Sequence, residues 1–193
     1  MDSIFAPLAV STGVVALAEI GDKTQLLALV LAARFRRPWP IVTGILIATL
    51  ANHAVAGLAG AWFAHLLDGP WLRWIVALSF VAIGIWAIFP DRFEDDDKPA
   101  MDRYGAFATT VIAFFFVEIG DKTQVATVAL ASRFATDVAA VVAGTTIGMM
   151  IANAPAIWLG DKLAHRLPLK AIRIAAACVF VALGVAAFIL LDR

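Results

Sequence analysis

Glu19-Ile20-Gly21-Asp22-Lys23-Thr24-Gln25 recurs unchanged as Glu118-Ile119-Gly120-Asp121-Lys122-Thr123-Gln124. The offset is 99 residues, and the match runs on to Phe35 and Phe134 with 11 identities in 17 positions. Apolar composition alone does not produce such a run. Other pairs follow at nearly the same spacing: Asn52 with Asn153, Ala64-His65 with Ala164-His165, and Arg73 with Arg173. Phe80-Val81-Ala82-Ile83-Gly84 likewise matches Phe180-Val181-Ala182-Leu183-Gly184. The chain reads as two copies of one unit, 1–90 and 104–193, joined by the segment 91–103.

The surroundings of the motif are strongly apolar. Of 193 residues, 62% are apolar or aromatic and 16% charged, with a mean hydropathy of +0.89. A soluble domain carries about half apolar and about a quarter charged residues, so the bilayer is the expected solvent. Fifteen Lys and Arg balance fifteen Asp and Glu. No basic stripe is left to neutralise phosphates, which argues against a nucleic-acid partner. A single cysteine, Cys178, excludes an internal disulfide or a cysteine-based zinc or iron–sulfur site, and reads as a small buried hydrophobe. Met1-Asp2-Ser3 lacks the positive region of a secretory signal, so the first apolar run is expected to be a retained span.

A spanning helix needs about 20 apolar residues. Six runs meet that length, at 4–33, 41–63, 71–89, 106–131, 138–159 and 172–191, bounded by charge, Pro or Gly. The fold class expected is an all-α polytopic membrane protein. The 1–2, 3–4 and 5–6 loops carry ten Lys and Arg against three on the other side, Arg73, Arg133 and Arg193. By the positive-inside rule those loops face the cytoplasm and both termini lie outside it. Trp39, Trp71, Trp74 and Trp86 fall near span ends, where rings sit at headgroup level; Trp62 and Trp158 read as core packing. Each half holds three spans, an odd number, so the second copy enters the membrane in the opposite direction. Inverted repeats of this kind are characteristic of secondary transporters, whose site forms between the halves near the midplane.

Uncharged residues flank the first motif on both sides, fifteen before it and eight after. Glu19 and Asp22, and likewise Glu118 and Asp121, are thereby placed at membrane depth, where an unpaired charge costs about 2.5 kcal/mol or more. At i and i+3 on a helix each pair shares a face. Three readings compete: structural acids neutralised by Lys23 and Lys122, through Glu19 and Lys23 at i and i+4; proton carriers; or ligands of a cation. An all-oxygen set favours the last, with a hard divalent ion such as calcium, magnesium or manganese. Its members would be the four carboxylates, helped by the amides of Gln25 and Gln124, the hydroxyls of Thr24 and Thr123, and exposed carbonyls. Four carboxylates and two ammoniums sum to the charge that one divalent ion balances. Without the ion, crowded carboxylates repel and take up protons, so protons and cation compete for the same oxygens.

Gly21 and Gly120 suit either a helix break or close packing. Asn52 and Asn153 read as site-wall amides or as interhelical hydrogen bonds. His53 has Ala154 opposite it in the other half, which argues against a symmetric role, and His65 and His165 lie at span ends. The stretch 91–103, with six acids and three bases, reads as a solvated cytoplasmic linker.

The doubled Glu-x-Gly-Asp-Lys-Thr motif resembles that of the Golgi- and chloroplast-type manganese/calcium–proton exchangers, a family with many bacterial members. The resemblance covers nearly the whole chain. It implies a secondary antiporter that exports Mn2+, and in some members Ca2+, in exchange for protons. It also places the cation-binding acids on Glu19, Asp22, Glu118 and Asp121, with Lys23, Thr24, Gln25, Lys122, Thr123 and Gln124 beside them. The compact loops suggest a bacterial plasma membrane. No catalytic residue and no cofactor are expected, the metal being cargo. A passive channel is the first alternative. An intramembrane hydrolase is a weaker one, since only the motif lysines are available at depth to hold a phosphate. Many small residues permit close packing and are compatible with a monomer or a homo-oligomer.

Overall fold

The computed structural model describes residues 4–67, 69–90, 104–159 and 168–190. Among them there are helices and no strands: α1 (Phe5–Glu19), α2 (Lys23–Phe35), α3 (Pro38–Leu66), α4 (Gly69–Ile88), α5 (Gly105–Glu118), α6 (Lys122–Arg133), α7 (Val138–Leu159) and α8 (Leu169–Leu190). By length and composition α3, α4, α7 and α8 are able to cross a membrane, and α1 and α5 are shorter apolar helices. The linker 91–103, and with it Lys162, His165, Arg166 and Arg193, lies outside the described residues.

The expected first and fourth spans each prove to be two helices, and the break falls inside the motif. Gly21 (φ +81°) and Gly120 (φ +76°) occupy the left-handed region, which an L side chain enters only at a cost of about 1–2 kcal/mol. The break reading of these glycines therefore holds, and the continuous helical face expected for Glu19 and Asp22 does not exist. Glu19 closes α1 and Asp22 caps α2, with Ile20 and Asp22 extended. At its far end α2 stops where Arg36 turns left-handed (φ 52°) and its N–H reaches Ala32 O at 3.0 Å. Pro38 then opens α3 at a position where its missing N–H has no helical partner to lose.

Packing runs crosswise between the two copies. α1 and α2 lie on α7, α5 and α6 lie on α3, and α3 meets α7. Gly144 lets α7 approach α1 so closely that an added Cβ would stand 2.5 Å from Leu8 O. α4 and α8 cross as a separate pair, with Phe80 and Phe180 stacked at 6.4 Å between centroids. The core is divided accordingly. One cluster joins the α4–α8 pair to α1 and α6 through Val14, Ala18, Val76, Phe80, Ala126, Leu130 and Phe180. The other joins α2, α3, α5 and α7 through Leu27, Leu31, Ile41, Ile45 and Phe114, without α4 or α8.

Large apolar side chains such as Trp39, Leu58 and Phe116 cover the outside, a surface suited to lipid. Two sequence expectations are corrected here. Trp62 and Trp158 are exposed rather than packed in the core, Trp158 resting edge-on against Trp39 at 5.6 Å. Cys178 is exposed, because it lies on the outer face of α8 beside the inward-facing Ala176, Ala177 and Phe180.

Candidate cation site

Each motif folds into the same local device. The Asp22 N–H returns to Glu19 O at 3.0 Å and the Asp121 N–H to Glu118 O at 3.1 Å, turning the chain between the two half-helices. The glutamine closes the turn from the far side: Gln25 Oε1 accepts the Gly21 N–H (3.0 Å) and Gln124 Oε1 the Gly120 N–H (2.7 Å). Gln25 Nε2 also donates to Ala152 O on α7 at 2.9 Å. The amide oxygens offered as ligands from sequence are thus engaged in bracing the break. The result brings the C-termini of α1 and α5 and the N-termini of α2 and α6 to one level of the bundle.

Three of the four predicted acids come together there. Glu19, Asp22 and Asp121 are buried, and one oxygen from each lies within 4.8 Å of the others. Glu118 is equally buried but is drawn aside onto α3, where Thr49 Oγ1 donates to its Oε1 (2.6 Å) and Asn52 Nδ2 to its Oε2 (2.9 Å). Asn153 Nδ2 donates to Glu19 Oε1 at 3.1 Å. Each asparagine therefore binds the glutamate of the opposite copy, which is the interhelical hydrogen bond that its place in an apolar span suggests.

The lysines also cross. Lys122 Nζ stands 3.1 Å from Asp22 Oδ1, and Lys23 Nζ stands 3.9 Å from Asp121 Oδ1. The expected pairing of Glu19 with Lys23 depended on a continuous helix and is replaced by these bridges. Thr123 donates to Asp121 Oδ2 at 3.2 Å, while Thr24 Oγ1 is buried without a hydrogen-bond partner among the described residues. Glu19 Oε2 and Asn153 Oδ1 are likewise buried without a donor among those residues. Buried oxygens lacking donors are costly unless something electropositive satisfies them, and a hard cation is what such a donor set fits.

Sequence reasoning missed Thr49, although a hydroxyl one turn before Asn52 on an apolar span was a usable signal. His53 is fully buried, and neither ring nitrogen has a hydrogen-bond partner among the described residues.

Acids from two matching motifs, buried where paired membrane helices break, define a class of membrane protein that handles cations. The family model described as "Divalent cation/proton antiporter GDT1" matches residues 7–95 and 106–191. A Vibrio cholerae protein named "Putative manganese exporter" is 43% identical over 185 residues, covering 96% of this chain and 92% of its own. "GDT1-like protein 5" of Arabidopsis thaliana is 23% identical over 222 residues, covering 96% of each chain. A rice protein of the same name is 24% identical over 221 residues, covering 93% of this chain and 92% of its own. No solved structure matches the chain significantly. The chain belongs to the GDT1 family of divalent cation/proton antiporters, and is a transporter rather than an enzyme.

Proposed function

We propose that this protein exports Mn2+ from the cytoplasm in exchange for protons, with Ca2+ as a second substrate, by alternating access at the motif acids. The observation that carries the reading is the buried group Glu19, Asp22 and Asp121, with the Lys122 ammonium on Asp22. Manganese, rather than another hard divalent ion, is favoured by the name of the 43% identical Vibrio cholerae relative. In this reading each broken pair, α1–α2 and α5–α6, counts as one span, giving six spans in two inverted halves of three. The crosswise packing supports this count, since α1 on α7 and α5 on α3 are the same contact with the halves exchanged.

The division of the core supports one access state. With the Arg- and Lys-rich loops in the cytoplasm, α1 and α6 occupy the outer half of the membrane and α2 and α5 the inner half. The α4–α8 pair packs on α1 and α6. In this reading it closes the outer side and leaves the inner side for cytoplasmic cation. Rocking of that pair towards α2 and α5 would open the outer side. Protons entering there displace the cation from the carboxylates and are carried back.

The test uses inside-out vesicles acidified by respiration, with a dye reporting lumenal pH while Mn2+, Ca2+ and Mg2+ are added in turn. Prompt alkalinisation by Mn2+, lost in Glu19→Gln and Asp121→Asn, is expected. Cation entry with no pH change beyond that of the variants would replace antiport with a channel. No movement in folded, correctly oriented protein would end the transport reading for these ions.

A further inference from the structure

The two motif glutamates stand in identical sequence contexts but are held unequally. Glu19, a member of the three-acid group, accepts one hydrogen bond, from Asn153, and its Oε2 has no hydrogen-bond partner among the described residues. Glu118 accepts two, and both of its oxygens are engaged on α3. The difference lies in the turn before each asparagine. α3 carries Thr49 there, whereas α7 carries Met149 and Met150, and the Met149 thioether lies 2.9 Å from Asn153 Nδ2. A thioether has no proton to give; a hydroxyl donates to a carboxylate, and such charge-assisted bonds are about twice as strong as neutral ones.

We propose that Thr49 is a positioning residue, a catch whose hydroxyl holds Glu118 away from the cation-binding carboxylates. The inference rests on the antiport reading and deepens it. Affinity for a hard divalent ion rises with the number of charged ligands. A site of three carboxylates binds loosely enough to release its ion, and a fourth joining it would tighten binding and slow release. Thr49 thereby sets the balance between affinity and turnover, and it does so from one half only, because no hydroxyl occupies the matching turn of α7. The repeat is thus functionally unequal at the position where its sequence departs from symmetry.

The experiment compares wild type with Thr49→Val, Thr49→Ala and Thr49→Ser, each checked for folding by size-exclusion chromatography. Equilibrium Mn2+ binding is measured in detergent, and KM and turnover for Mn2+-driven proton release in proteoliposomes. Thr49→Val and Thr49→Ala should bind Mn2+ tighter by about threefold, the size of one interhelical hydrogen bond in a membrane. KM and turnover should fall together, and Thr49→Ser should behave as wild type. Unchanged or weaker binding in a folded Val or Ala variant, or failure of serine to restore wild-type values, overturns the catch. Tighter binding in the variants with no exchange by wild type would uphold the catch and overturn antiport. Exchange by wild type with identical Thr49 variants would do the reverse.

Discussion

The Lys122 ammonium stands 3.1 Å from the Asp22 carboxylate, joining the two motif copies through a pair that is almost entirely buried. Its counterpart, Lys23 with Asp121, is longer at 3.9 Å, and the Lys23 side chain is 24% exposed. Removing one partner of a buried pair leaves an uncompensated charge and costs about 3–5 kcal/mol; the second bridge also ends on a buried carboxylate, but its greater length and partly solvated ammonium make its loss smaller. Lys122→Met should therefore destabilise the detergent-solubilised protein more than Lys23→Met, read as the loss in unfolding free energy. Equal losses would show that the two bridges are equivalent in solution.

The crossed asparagines make a second, smaller prediction. A double-mutant cycle of Asn153→Ala with Glu19→Gln should give a coupling energy of about 0.6–1.7 kcal/mol, the range for interhelical hydrogen bonds in a membrane. Asn153→Ala paired with Glu118→Gln should show near-additivity, because Asn153 is bonded to Glu19 and Glu118 to α3. Coupling to Glu118 instead would place the asparagine on its own copy's acid.

At the two breaks, alanine must enter a left-handed conformation. Gly120→Ala meets no other atom within 4 Å and should cost about 1–2 kcal/mol through backbone strain alone. Gly21→Ala carries the same strain and also pushes on Leu169 Cδ2, 2.7 Å from the new Cβ, so it should cost more. Asparagine at either position should be milder than alanine, since it tolerates positive φ better. Thermal unfolding of the four variants orders them, and the reverse ranking of Gly21→Ala and Gly120→Ala would mean that α8 does not rest on the first break.

Cation binding should be visible as stability. Mn2+ at about 100 times its dissociation constant adds about 2.7 kcal/mol to a protein that binds it only when folded. Asp121→Asn should abolish that gain. Lowering the pH should reduce it, since protons compete for the same carboxylates. A gain from Mn2+ that survives Asp121→Asn would locate the ion elsewhere.

Much of this protein was legible before its structure. The doubled motif, the apolar runs and the placement of Glu19, Asp22, Glu118 and Asp121 at depth are local properties of composition and spacing, and they are enough for an all-helical membrane protein with buried acids. Even the glycines carried the right alternative, because only Gly enters a left-handed turn cheaply. What spacing could not carry was pairing across the bundle. Which lysine meets which aspartate, and which asparagine meets which glutamate, depends on how α1–α2 lie on α7 and α5–α6 on α3, contacts between residues as distant as Glu19 and Asn153, 134 positions apart. The inequality of Glu19 and Glu118 and the docking of α4–α8 on α1 and α6 are likewise tertiary facts. Two copies of one motif specify the same local fold twice, but the bundle around them is packed in one arrangement at a time, and that packing distinguishes acids their own sequence leaves alike.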